Sequence, residues 1–381
     1  MRVAIEVGVV TDKVVLTQAL ALMSFWVDGR EGSENSSLLI GRAVQYVHSL
    51  GLHIQGRDDE PQTAYNETLF CCIWAIDKMN AAFHGRPVLM HDRDIDRSLQ
   101  RSFDTQNSAF KLLLHVVALL DRVIELYRPG GGTEDELSGG FDTFEGLILK
   151  CDASQVSTRF LATIEILYHA VAILSCRSRP DEPKNYGPPS ARIRQAFSTD
   201  KVTAMAGHEF RDQLVLLPFV PYAISLSLSV NYREMRRSKI PMSRSRAKIA
   251  FEANCQILER LGEIFWSAAA MAEMGNLTLK ELDRVYAQVA DADPRKPQEV
   301  DGDPQANSIP NHVGLSSEQL GNNSNNYSYT MPMPIPNEDT FNFGDLLDVD
   351  PFEMFDPTFN LDDIDACLEG NLELAMPMNI Y

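Results

Sequence analysis

Residues 36–96 carry the pattern that most constrains the fold, because two helical segments and a charged turn follow one another there with few residues between them. Apolar residues first recur at intervals of three and four, with polar residues between them. These apolar residues are Leu39, Ile40, Ala43, Val44, Val47 and Leu50. This spacing puts them on one face of a helix. Ser36 suits the N-cap of that helix and Gly51 the residue just beyond its end, so the sequence predicts an amphipathic helix over residues 36–51.

A second helical pattern runs from about Thr63 to Phe83 and ends at the turn Gly85-Arg86-Pro87. Trp74 lies on its apolar face, and we expect the indole to be buried. An acidic run, Asp92, Asp94 and Asp96, follows the turn. It has the first spacings of a calcium loop but lacks the glycine and the bidentate glutamate that such a loop needs, so it predicts a structural role.

The other apolar segments also have helical spacing, and none shows the period-two alternation of a strand. Helices are predicted over residues 13–27, 106–128, 158–176, 244–274 and 278–290, and a short apolar piece over 141–149. Residues 214–230 are the most hydrophobic run. The run is shorter than the roughly 20 residues that cross a bilayer and contains Pro218 and Pro221, which favours a buried, kinked core helix. The fold class is therefore all-α, a multi-helix bundle-like body.

The order and spacing of five short motifs resemble the middle homology region of fungal zinc binuclear cluster transcription factors. The motifs are Ile40-Gly41-Arg42-Ala43-Val44, Leu50-Gly51-Leu52-His53, residues 67–78, Gly85-Arg86-Pro87, and Asp92 with Asp94. The resemblance implies a helical regulatory domain over residues 1–290 of a fungal, pathway-specific transcription regulator located in the nucleus. The family's N-terminal six-cysteine zinc cluster has no counterpart, because the first cysteine is Cys71. Either the chain is a fragment, or it reaches DNA through a partner.

Charge divides the chain unevenly. Of the formal net charge of −19, the residues after Val300 contribute fifteen acids and no Lys or Arg. Residues 291–340 are rich in Pro, Asn and Ser and poor in aliphatic clusters, so they predict a disordered linker. In residues 341–381, acids alternate with Phe341, Phe343, Phe352, Phe355 and Phe359. This composition is typical of a disordered activation segment that docks into a groove of the transcription machinery or a coactivator.

One basic cluster stands out against the acidic chain: Arg236, Arg237, Lys239, Arg244, Arg246 and Lys248. Clustered Lys and Arg raise the local electrostatic potential, which suits nuclear import or phosphate binding. A solvated helix end would have the same composition, and the sequence does not decide between these interpretations.

No catalytic motif is present, and we predict neither an enzyme, nor a catalytic residue, nor a cofactor or metal site in this chain. Zinc is expected only with an N-terminal cluster. The six cysteines contain no C-x-x-C pair, and nothing at the start of the chain indicates secretion, so a reducing compartment is expected. His115 and His169 lie on apolar helices and are interpreted as core residues. The alternative function is a helical ligand-binding or scaffolding protein; a homo- or heterodimer stays open, and no membrane is involved.

Overall fold

The computed structural model describes residue 5 and residues 8–26, 33–54, 63–127, 141–176 and 189–291. In these ranges the chain forms eleven α-helices, a 3₁₀ turn at Asp92–Asp94 and a π-helical turn at Met205–Glu209. The helices are α1 (Lys13–Phe25), α2 (Ser33–Ser49), α3 (Thr63–His84), α4 (Leu99–Asp104), α5 (Ser108–Tyr127), α6 (Phe144–Lys150), α7 (Thr158–Leu174), α8 (Pro189–Ala204), α9 (Phe219–Arg237), α10 (Pro241–Leu261) and α11 (Trp266–Asp291). The same ranges contain no strand, only a parallel bridge between Ile54 and Asp96. The predicted all-α class is confirmed.

Helices α1 and α2 form an antiparallel pair. Ser36 Oγ donates a hydrogen bond to the Ser24 carbonyl at 2.8 Å, and at the other end Lys13 Nζ donates to Ser49 Oγ at 3.0 Å. The predicted N-cap role of Ser36 is wrong, because α2 already begins at Ser33. Ser36 is instead fully buried and also accepts a hydrogen bond from Asn80 on α3, so its hydroxyl joins three helices.

The end of α2 confirms the predicted glycine stop. Gly51 has a φ of +68°, a backbone conformation that an L side chain rarely adopts. The N–H of Leu52 then donates to the Val47 carbonyl at 3.0 Å, and that of Gly51 to the His48 carbonyl at 3.0 Å. Two carbonyls of the last turn thereby find partners, and buried Leu52 folds back onto the helix.

A continuous apolar core extends through the body, and most of the later helices pack around α7 and α9. Helix α5 packs against α3 and α7, while α9 packs against α7, α8 and α10. The described residues up to Leu282 belong to this body, and residues 283–291 at the end of α11 fall into a second unit. Of that second unit only the end of α11 is described, so the predicted linker lies almost entirely outside the described residues.

The prediction of a kinked helix over residues 214–230 is wrong about the prolines. Helix α9 begins only at Phe219, with Pro218 as its N-cap and Pro221 in its first turn. A proline in the first turn removes an N–H that has no partner within the helix, so no kink is needed. Further along, Ser225 Oγ donates to the Pro221 carbonyl at 2.9 Å, and the hydroxyls of Ser227 and Ser229 bond back in the same way. These bonds allow three serines to lie in the interior.

The last two helices divide at a different place from the one predicted. The break lies between Leu261 and Trp266, not at residues 275–277. Gly275, which the sequence pattern placed in the break, lies inside α11. A Cβ at this position would be 2.5 Å from Cys255 Sγ on α10, so the glycine lets the two helices approach closely.

Candidate functional site

The middle of α3 places a charged side chain in the interior of the body. Lys78 is 1% exposed, and its Nζ donates a hydrogen bond to the Met90 carbonyl at 2.8 Å. The same Nζ lies 2.8 Å from Asp121 Oδ1 on α5 and 3.7 Å from Asp92 Oδ1. A buried ammonium costs several kcal/mol unless it is paired and hydrogen-bonded, and these acceptors supply both needs.

Asp77, the neighbour of Lys78, binds the same turn from the other side. Its carboxylate accepts hydrogen bonds from the N–H groups of Leu89 and Met90 at 2.9 to 3.2 Å. Burial raises the pKa of Asp77, while these backbone donors act to lower it. Burial also raises the pKa of Asp121, and the ammonium of Lys78 opposes that rise. Two consecutive residues of α3 therefore fix both the N–H and the carbonyl of Met90.

Trp74 completes this cluster one helical turn before Lys78. It is 1% exposed, as the sequence predicted, and its indole Nε1 donates to Asp92 Oδ1 at 3.3 Å. The ring packs against Phe103, with 5.3 Å between centroids, and the Lys78 ammonium lies 5.5 Å from the indole centroid. Trp74, Asp77, Lys78, Asp92 and Asp121 form what we call the Lys78 cluster.

The Lys78 cluster is arranged for holding structure together. Its cation and its carboxylates satisfy one another and the backbone of the turn after α3, and only Asp92 extends far into solvent, with 52% of its side chain exposed. Of the predicted acidic run, Asp92 thus belongs to the cluster, whereas Asp94 and Asp96 are exposed. In the described part of the chain, no group of three or more His, Cys, Asp or Glu side chains could hold a metal ion.

Both singled-out histidines are buried, but they differ in their partners. His169 Nδ1 lies 3.2 Å from Ser198 Oγ, and its Nε2 is 3.7 Å from Glu165. His115 Nε2 has no hydrogen-bond partner among the described residues, and its ring instead meets the edge of Phe103. Burial lowers the pKa of His115, which favours the neutral ring.

The basic cluster lies at the corner where α9 ends and α10 begins. Arg236 and Arg237 are exposed in the last turn of α9, where the negative end of the helix dipole stabilises cations. Lys239 lies in the link, and the remaining members, Arg244, Arg246 and Lys248, lie in the first half of α10. The dipole of α10 gives no reason for cations near its start, so this second group needs another explanation.

Sequence reasoning missed the apolar residues that lie among these cations. Ile240, Met242 and Ile249 are 58%, 66% and 67% exposed. Met242, Arg246 and Ile249 follow the spacing i, i+4, i+7, so they share one outward face of α10. A helical projection that begins at Pro241 would have revealed this face. The helix predicted from the sequence began at residue 244 and therefore left Met242 out.

The described body also has an open groove of about 410 Å³ between the end of α10 and the middle of α11. Glu259, Glu273 and Lys280 line it together with small residues, and Asn276 Nδ2 donates to Glu259 Oε1 at 2.6 Å across it. None of the predicted site residues lies there. The five phenylalanines of the predicted activation segment, Phe341, Phe343, Phe352, Phe355 and Phe359, lie outside the described residues.

Comparison with known proteins identifies the N-terminal part of the body. Among the described helices, none is long and apolar enough to cross a membrane. No curated protein and no solved structure matches the chain. Residues 4–111 match the model of the fungal specific transcription factor domain, and they contain the whole Lys78 cluster except Asp121. This confirms the resemblance found in the sequence: residues 4–111 are similar to the fungal specific transcription factor domain.

Proposed function

We propose that the chain is a pathway-specific transcription regulator that works in the nucleus and activates transcription through residues 341–381. The family match supports a role in transcription. The observation that carries the activating role is compositional: ten acids, no base and five phenylalanines within 41 residues. DNA contact then comes from a zinc cluster outside this sequence or from a partner protein, because no recognition element is evident in the chain.

The phenylalanines make the main contacts with the partner in this proposal. A groove gains about 25 cal/mol for each Å² of apolar surface that it buries, whereas exposed carboxylates contribute mainly screened, long-range attraction. The spacing of Phe352, Phe355 and Phe359 would let a short helix that forms on the partner present several rings on one face, although Pro357 would tend to interrupt that helix before Phe359. Pro351 fits the start of such a helix, since a missing N–H does no harm there.

The test is a reporter assay with the full chain, and separately residues 341–381, fused to an unrelated DNA-binding domain. Three versions are compared at equal protein level: the native segment, the segment with its five phenylalanines changed to alanine, and the segment with five acids changed to their amides. We expect the alanine version to lose most activation and the amide version to retain more. If the alanine version activates as well as the native one, hydrophobic docking is excluded, and a scaffolding function becomes the better explanation.

Import into the nucleus is assigned to the basic cluster in the same proposal. Replacing Arg236, Arg237, Arg244 and Arg246 by alanine should reduce the nuclear fraction of a fluorescently tagged chain. An exposed position elsewhere, Lys150→Ala, serves as the control for a general loss of positive charge. Unchanged localisation of the fourfold variant would contradict the assignment.

A further inference from the structure

The first turns of α10 and the link before them present cations and apolar side chains together. The exposed members are Lys239, Ile240, Met242, Arg246 and Ile249, which we call the α10 surface. The opposite face of the helix, with Ala247 and Phe251, is buried in the core. Single exposed apolar residues are ordinary, but three of them set among cations make a patch suited to a partner that is both apolar and acidic.

The backbone at this place adds to the positive potential. Ile240 occupies the N-cap of α10, no side chain caps the helix, and its first turn contains no acidic residue. The first N–H groups of a helix have no partner within it and form the positive end of the helix dipole. Beside them, Arg244 Nε is buried without a hydrogen-bond partner among the described residues. A carboxylate placed here would meet donors from both the backbone and the side chains.

We propose that the α10 surface binds the acidic, phenylalanine-rich segment of the same chain, residues 341–381. The two surfaces are complementary in both properties, because the segment has ten acids, no base and five phenylalanines. Phosphates of a nucleic acid would match the cations but would leave Ile240, Met242 and Ile249 without a partner. The combination of charge and apolar area therefore favours the peptide segment over a nucleic acid.

The length of the chain allows this contact within one molecule. About 50 residues separate Asp291 from Phe341, and a random coil of that length spans roughly 40 Å on average. A domain of about 280 residues has a radius of gyration of roughly 19 Å, so the segment can reach distant parts of the body. Tethering of this kind gives an effective concentration near the millimolar range, so a weak site is well occupied.

Zero-length carbodiimide coupling of the purified full chain, read by peptide mass spectrometry, tests the proposal. The reagent joins a lysine Nζ to a carboxylate with loss of water, and residues 341–381 contain carboxylates but no lysine. Every cross-link from the segment therefore reports an amine elsewhere, either a lysine Nζ or the N-terminal amine. We expect such links to concentrate on Lys239 and Lys248 and to disappear when the five phenylalanines are changed to alanine.

The matched variants separate this surface from others. Met242→Ser, Arg246→Ser and Ile249→Ser together change exposed side chains and keep both reporting lysines. Their links should fall about tenfold or more, since loss of one well-buried apolar contact changes a binding constant by that order. The control is Leu149→Ser, which removes a 75% exposed leucine beside Lys150 on α6 and should change nothing.

Three results would overturn the proposal. Links spread evenly over all lysines, or unchanged in the triple variant, would show that the segment does not recognise this surface. Links that form only between isotopically distinct copies in a mixture would assign the surface to a second chain. A triple variant that keeps its links but loses retention on duplex DNA would assign the surface to nucleic acid.

Discussion

Lys78 Nζ and Asp121 Oδ1 lie 2.8 Å apart in the interior of the body, and this ion pair joins α3 to α5. The two residues are 43 positions apart, and Asp121 lies beyond the stretch that matches the family model. Since Lys78 also holds the Met90 carbonyl, one ammonium connects two helices and the turn after α3. A buried pair of this kind contributes little net stability compared with an apolar replacement, but losing one partner is costly.

The first prediction is that breaking this pair from one side destabilises the body strongly. Asp121→Ala leaves the Lys78 ammonium buried without its strongest partner, and the free energy of unfolding should fall by about 3 to 5 kcal/mol. The double variant Lys78→Met with Asp121→Leu removes both charges of the pair. Its loss should be smaller than that of Asp121→Ala alone, as measured by urea denaturation. If the double loss equals the sum of the losses of Lys78→Met and Asp121→Leu measured singly, the two groups are not coupled.

The second prediction concerns Trp74, whose ring fills the space between α3 and Phe103. Trp74→Ala removes a fully buried ring and leaves a cavity, so the free energy of unfolding should fall by roughly 3 to 5 kcal/mol. Leu149→Ala, at a 75% exposed position, is the control and should change it by less than about 0.5 kcal/mol. A thermal midpoint that stays the same in Trp74→Ala would show that the indole contributes nothing to the core.

The third prediction is a loss of stability in mild acid through His84. Burial, with a smaller contribution from the Arg86 charge, lowers the pKa of His84 to about 4. The unfolded chain therefore takes up a proton near pH 6.5 that the folded protein excludes. The contribution of His84 to stability is complete above about pH 6.5 and decreases as the pH falls toward 4, by at most roughly 3 kcal/mol.

Urea denaturation at pH 7 and at pH 5, with native chain and His84→Gln, measures this effect. The variant cannot bind the extra proton when it unfolds, so the difference in stability between the two pH values should be smaller than in the native chain. Identical pH dependence in both proteins would mean that His84 is accessible to solvent and to protons in the folded state.

Local chemistry explains which features of this fold could be predicted from the sequence. The helix stop at Gly51 was predicted correctly because the glycine, the leucine after it and the carbonyls that they satisfy all lie within six residues. Ser36 was misassigned because its partners, Ser24 and Asn80, lie on other helices. The Lys78 cluster has the same character, since no local pattern pairs Lys78 with Asp121.

Helix α8 was not predicted for a different reason. Its exposed side carries large apolar residues, and its buried side carries polar ones. Ile193 and Phe197 are exposed, while Gln195, Ser198 and Thr199 are buried. Other helices supply partners for two of these residues, with Arg233 donating to Gln195 Oε1 at 2.6 Å and His169 Nδ1 lying 3.2 Å from Ser198 Oγ. The Thr199 hydroxyl donates within α8 to the Gln195 carbonyl at 2.8 Å. A method that searches for an apolar face finds none here, because hydrogen bonds take the place of apolar contact.

The fourth prediction is that the same substitution has opposite effects at two helical glycines. Glycine in the middle of a helix is less favourable than alanine by roughly 0.5 to 1 kcal/mol, so Gly→Ala ordinarily stabilises. At Gly41 in α2, the nearest atom to a new Cβ is Leu89 Cδ1 at 3.8 Å, an ordinary contact. Gly41→Ala should therefore raise the free energy of unfolding by up to about 1 kcal/mol.

At Gly275 a new Cβ would lie 2.5 Å from Cys255 Sγ, so either the buried sulfur or the two helices would have to shift. Overpacking of this kind costs about 1 to 3 kcal/mol, more than the gain in helix propensity, so Gly275→Ala should destabilise the body. Cys255→Ala removes the clashing sulfur. Adding Gly275→Ala to the Cys255→Ala variant should therefore cost much less stability than Gly275→Ala costs in the native chain, as measured by urea denaturation. If Gly275→Ala is as stabilising as Gly41→Ala, there is room for a Cβ between α10 and α11, and their close packing does not require a glycine at residue 275.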